Sequence, residues 1–179
     1  QTIRFGNEKS RNLMTVRLAD AIGIDKVAVY AERFGIFDRM QRVLSMSLGA
    51  GETTLLRLTT AYCMIANGGK QITPTLIDRI QDRAGITIFR HDGRPCPGCQ
   101  GGAANPAAVP EIPDNRQQVV DPASAYQMVS MLQGVVERGT AAKIRMDGKP
   151  LAGKTGTTND SFDNWFVGFS SHIAVGVFV

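Results

Sequence analysis

The sequence predicts an α/β chain of the α+β kind: an antiparallel sheet flanked by helices. Three observations carry that expectation. Apolar residues recur at helical spacing in separate stretches before Gly139, whereas the residues from Leu151 onward alternate as strands do. The polar breaks between those final strands are short, as in a meander. The last run, Ile173 to Val179, has no polar face, so it needs cover on both sides, which helices supply.

The elements follow in order. From Ser10, the residues Met14, Leu18, Ala21 and Ile22 share one helical face, and Gly23 stops it. Asp25 is expected to N-cap a second helix through Val27, Tyr30, Ala31 and Phe34, with Gly35 just past its end. A third helix is expected from Thr53 to Asn67, with Leu55, Leu58, Tyr62, Ile65 and Ala66 buried and Gly68-Gly69 closing it. Thr75 to Gln81 and Ile86 to Arg90 read as a β-hairpin around Asp82-Arg83-Ala84-Gly85. Residues 92–118 are rich in Pro, Gly, Ala and Asn and poor in large apolar residues, which predicts a surface linker or long loop. Asp121-Pro122 is an N-cap followed by Pro at the first helical position. The helix it opens should bury Ala125, Met128, Val129, Leu132, Val135 and Val136 and end near Gly139, with Thr140 capping one more short turn. Leu151 to Thr158, Asn164 to Phe169 and Ile173 to Val179 are the three strands of the meander, joined by Asn159 to Asp163 and Ser170-Ser171-His172.

Composition narrows the function. With 43% apolar and 20% charged residues in a 179-residue chain, disorder and a small disulfide scaffold are excluded and one core is expected. The net charge of +4 is scattered with no basic run, which argues against nucleic acid as a partner. No stretch is long and apolar enough to span a membrane. Gln1-Thr2-Ile3-Arg4-Phe5 has no targeting character, and the chain stops inside an apolar strand, so a piece of a longer protein is expected.

Cys63 sits on a helical stretch as a small hydrophobe. Cys96 and Cys99 form Cys-Pro-Gly-Cys, which can be a local disulfide, half a zinc site or a redox dithiol. His91 and His172 are not spaced as a second metal-ligand pair, and no helix is expected after the motif, so a local or incidental disulfide is favoured.

HExxH, GxSxG, Walker A and GxGxxG motifs are all absent. What stands out is Lys154-Thr155-Gly156-Thr157-Thr158 in an expected strand, beside Gly153. A lysine there supplies a point charge for a carboxylate, and small neighbours let an extended peptide approach the backbone. Ser10-Arg11-Asn12, at the start of the first expected helix, is by itself an ordinary capping pattern.

Together, Ser-x-Asn and a later Lys-Thr-Gly are two of the three signatures of penicillin-recognising serine enzymes. The resemblance extends through Ser47-Leu48-Gly49, Glu52-Thr53-Thr54-Leu55-Leu56, Ala66-Asn67-Gly68-Gly69, Gly139-Thr140-Ala141, Ala152-Gly153-Lys154-Thr155-Gly156-Thr157 and Trp165-Phe166-Val167-Gly168. Nearly the whole chain resembles the transpeptidase domain of class A penicillin-binding proteins, of the 1A type; the 92–118 segment and its Cys pair fall outside the likeness. The resemblance implies a penicillin-binding protein/β-lactamase-like fold and a serine acyl-enzyme that cross-links peptidoglycan stem peptides. It further implies β-lactam binding, no cofactor or metal, and a location at the periplasmic face of the inner membrane through an anchor outside this chain.

Carried over by motif, Ser10 would relay a proton to the leaving amine, and Asn12 would bind the substrate amide and orient the lysine of the nucleophile motif. Lys154 would attract the substrate carboxylate and hold the Ser10 hydroxyl. Thr155 and Thr157 would bind that carboxylate, with Gly156 between them, and the Thr157 N–H would form half of an oxyanion hole. One signature is missing, since no serine in the chain has Lys three residues later. The nucleophile is therefore expected upstream of Gln1, and the sheet's last strand and covering helix beyond Val179. Residues 1–179 would then be one transpeptidase-domain fragment without activity of its own. Two other readings remain: a non-catalytic module of the same fold, and a redox or metal protein built on Cys-Pro-Gly-Cys.

Overall fold

A computed structural model describes residues 1–96, 112–158 and 162–179. Two compact units divide these residues: 1–72 with 118–179, and 73–117.

The larger unit begins with three short helices, α1 (Ile3–Glu8), α2 (Asn12–Ile22) and α3 (Ile24–Arg33). A 3-10 turn (Leu44–Leu48) and the helix α4 (Leu55–Ala66) follow. The chain returns to this unit for α5 (Pro122–Arg138), a second 3-10 turn (Ala142–Ile144) and three strands, which are named below after those of the smaller unit. The smaller unit contains the expected hairpin, β1 (Arg79–Gln81) and β2 (Thr87–Arg90), antiparallel, with Gly85 at a positive φ in the turn. Its Asp92–Cys96 segment is irregular, and Cys96 is disulfide-bonded, while Cys99 and the rest of 97–111 lie outside the described residues.

In the larger unit, β3 (Ala152–Thr157), β4 (Asn164–Phe169) and β5 (Ala174–Phe178) pair antiparallel in the order β3-β4-β5, the expected meander. Register is set by Ala152 opposite Phe169, Lys154 opposite Val167 and Trp165 opposite Phe178, whose rings sit 4.8 Å apart. Leu132 of α5, Ala152 and Phe169 are buried together, with Tyr62 and Val129 packed on them. Val135, Val136 and Ala141 form a second cluster, covered by Leu151 and Phe166. The core thus lies between α5, α4 and the sheet.

Several expectations need correcting. Residues 3–8 form a helix, capped by Thr2, where none was expected. Asp25 does not cap α3: Gly23, at φ +89°, already breaks the chain, so Asp25 falls within the first turn and pairs with Arg42 at 2.6 Å. On α4 the fully buried residues are Thr60, Ala61 and Met64, while Leu55 and Ala66 are exposed. The helix is wedged between α5 and strands β4 and β5, and small side chains permit that approach. Gly176 of β5 belongs to the same arrangement, because a Cβ there would meet the Thr59 hydroxyl. Met128 of α5 is exposed. Thr140 caps nothing; the turn it precedes starts after Ala141 with no side-chain cap. On β5, Val175 and Val177 are exposed, because among the described residues the helices cover only the face that carries Gly176.

Candidate active site

The end of α1 has the hydrogen-bond pattern of a Schellman motif: the Arg11 N–H donates to the Gly6 carbonyl at 2.8 Å, and the Ser10 N–H to the Asn7 carbonyl at 3.2 Å. Ser10 therefore occupies the position at which such motifs favour glycine. Its φ of +50° makes it the one non-glycine residue in the left-handed region among those described. The left-handed conformation is unfavourable for a side chain with a Cβ, and it persists only when neighbours hold it.

The neighbours are on the end of α5. Glu8, 5% exposed, accepts two bonds from the Arg138 guanidinium, at 2.6 and 3.0 Å. The Lys9 ammonium donates to the Arg138 carbonyl at 2.6 Å, and the Thr140 N–H to the Glu8 carbonyl at 3.1 Å. Ser10 is thereby fixed beside β3, where the Lys154 ammonium donates to its hydroxyl at 2.8 Å and to the Thr155 carbonyl at 2.9 Å. No carboxylate of the described residues is within ion-pair distance of Lys154. Burial lowers the Lys154 pKa, since removing water disfavours the charged form.

Residue by residue, then, the structure brings Ser10 and Lys154 into contact. Asn12 opens α2, exposed, one residue beyond the Arg11 that precedes the helix. Its side chain makes no hydrogen bond to the described residues. The ordinary capping reading of Ser-x-Asn does not apply, because Arg11 is the N-cap and no side chain caps α2. The Thr155 and Thr140 hydroxyls are 2.8 Å apart. Gly156 lies opposite Trp165 and Thr157 opposite Asn164, both on β3. Among the described residues this strand is an edge of its three-stranded sheet, so one side of the Lys-Thr-Gly backbone has no strand partner.

Sequence reasoning missed Glu8, Arg138 and Thr140. An isolated Glu and Arg, 130 positions apart, carry no local signal of pairing. A cavity of about 390 Å³, lined by Cys63, Val129, Ala152, Phe169 and His172 among others, is not lined by Ser10 or Lys154. Burial pushes the Cys63 thiol pKa up, which suits a packing residue. Among the described residues no group of three or more His, Cys, Asp or Glu could hold a metal ion, and no helix is long and apolar enough to cross a membrane.

A half-buried ammonium, a hydroxyl held at a strained backbone position and an open strand edge form a site suited to an extended, carboxylate-bearing peptide. Comparison with known proteins shows the family. The family model of the penicillin binding protein transpeptidase domain matches residues 1–177, and the chain belongs to that family. Among curated proteins it is 51% identical over 180 aligned positions to penicillin-binding protein 1A of Rickettsia bellii, covering 99% of this chain and 23% of that protein. It is 37% identical to penicillin-binding protein 1A of Neisseria flavescens, covering 99% and 21%. The chain thus spans about a quarter of the length of these relatives. Penicillin-binding protein 1A from Haemophilus influenzae shares the fold, with a TM-score of 0.79 at 24% identity, over 99% of this chain and 29% of that one. So does the D,D-transpeptidase domain of a peptidoglycan glycosyltransferase from Eggerthella lenta, with a TM-score of 0.73 at 23% identity, over 99% and 48%.

Proposed function

We propose that this chain is part of a peptidoglycan D,D-transpeptidase that cross-links stem peptides through a serine acyl-enzyme and is acylated by β-lactams. The observation that carries the reading is the 2.8 Å contact between Lys154 and Ser10, two motif residues 144 positions apart. In this scheme a serine of a Ser-x-x-Lys segment outside these 179 residues attacks the penultimate D-Ala carbonyl. The bond to the terminal D-Ala breaks, and Ser10 passes the proton to the departing amine.

Lys154 holds the Ser10 hydroxyl and draws in the substrate carboxylate, with Thr155 and Thr157 as its hydroxyl donors. The Thr157 N–H points at the developing oxyanion, and Asn12 binds the substrate amide. Gly156 leaves room for the peptide backbone. The chemistry requires no cofactor, and it belongs in the cell envelope, at the periplasmic face of the inner membrane, with glycan polymerisation assigned to another part of the parent protein.

The test is made on the full-length parent. Ser10→Ala and Lys154→Ala are each expected to lower both stem-peptide cross-linking and penicillin acylation by roughly 100-fold, the usual scale for a preorganised polar group. Unchanged rates in folded variants would overturn the reading.

A further inference from the structure

We propose that Glu8 and Arg138 are positioning residues, whose ion pair, its carboxylate buried, sets the Ser10 turn and the Lys-Thr-Gly strand against each other. The inference rests on the proposed roles of Ser10 and Lys154. Each partner lies two residues before a hydroxyl that meets β3. Glu8 precedes Ser10, which accepts from Lys154, and Arg138 precedes Thr140, whose hydroxyl bonds that of the next strand residue, Thr155.

The pair is built to be rigid. A carboxylate as buried as Glu8 is rare unless paired, and a two-point guanidinium fork fixes direction as well as distance. The Lys9 ammonium on the Arg138 carbonyl and the Thr140 N–H on the Glu8 carbonyl add two bonds across the same junction.

Two glycines, one on α5 and one at its end, lie against Glu8, and the backbone of Val135 also crowds Gly139. A Cβ on Gly134 would strike the Glu8 carboxylate, and one on Gly139 the Glu8 carbonyl. Glycine inside a helix is unfavourable relative to alanine, so Gly134 is accounted for by the room Glu8 takes. The strain at Ser10 completes the argument. A serine at φ +50° relaxes unless its surroundings over-determine it, and this junction does so. Loss of the fork leaves α1 attached but lets the Ser10 hydroxyl drift from Lys154.

The experiment measures the second-order rate of acylation by a fluorescent penicillin in the full-length parent, with melting curves alongside. The variants are Arg138→Lys, Glu8→Gln and Gly134→Ala, each alone and combined with Ser10→Ala. Arg138 is half exposed, so Arg138→Lys, which keeps the charge and loses the fork, is the variant least prone to unfold. Each single change is expected to slow acylation at least fivefold at a temperature where the protein is folded. In the Ser10→Ala background the same change is expected to add less than twofold.

Equal losses in both backgrounds, or a lowered melting temperature with unchanged acylation, would overturn the positioning role and leave a purely structural pair. Ser10→Ala with unchanged acylation would instead overturn the proposed site itself, and this inference with it.

Discussion

Lys154 donates a 2.8 Å hydrogen bond to Ser10, a residue at φ +50°. The contact links a strained turn to a half-buried ammonium, so backbone geometry and charge placement meet at one hydrogen bond. Unfavourable conformations that persist in folded proteins gather at functional sites.

The strain makes Ser10→Gly an informative substitution. Glycine adopts the left-handed position without a Cβ clash, so the variant should be as stable as the parent or more stable, by up to about 1 kcal/mol. It also lacks the hydroxyl, so acylation by penicillin should drop while chemical denaturation shifts to higher denaturant. A clear loss of stability would show that the turn is not strained.

Lys154 gives a pH signature whose sign is fixed. Burial lowers its folded pKa below the ordinary 10.5, so between the two values the unfolded chain binds more protons. The contribution of this residue to stability therefore rises with pH across that window and is constant on either side. Lys154→Met removes the titration. The stability of that variant relative to the parent should fall as pH rises through the window, measured by denaturant unfolding at closely spaced pH. A difference that does not change with pH contradicts the burial argument.

The core supports the strand that carries Lys154. Leu132, 3% exposed, packs on Ala152 and Phe169, so Leu132→Ala should cost about 2–5 kcal/mol in transfer and cavity terms. Urea unfolding reads the change, and a loss below about 1 kcal/mol would mean the site can collapse around the gap.

Much of this was legible in the residues. Asp121-Pro122 marks the start of α5, Gly23 ends α2, and the β3–β5 meander follows from alternation and its polar breaks. Ser10 and Lys154 are visible because they belong to short motifs, Ser-x-Asn and Lys-Thr-Gly, that can be read whatever surrounds them. The six residues of α1 were not legible, being too short to show a helical period. The large apolar residues of α4 do not mark its buried face, because the tight gap between α5 and the sheet selects Thr60 and Ala61. Nor does the sequence show that Glu8 meets Arg138, a contact created only when α1 docks on α5. The left-handed Ser10 was equally hidden, since glycine is the residue that normally announces such a position.

The central claim is that Lys154 and Ser10 serve acylation of a serine that lies outside these 179 residues. The most direct measurement treats the full-length parent and its Lys154→Ala variant with excess penicillin, then maps the adduct by mass spectrometry and follows its rate of formation. One stoichiometric adduct is expected, on the serine of a Ser-x-x-Lys segment, forming roughly 100-fold more slowly in the variant. An adduct on any serine between Gln1 and Val179, or an undiminished rate in a folded Lys154→Ala protein, would contradict it.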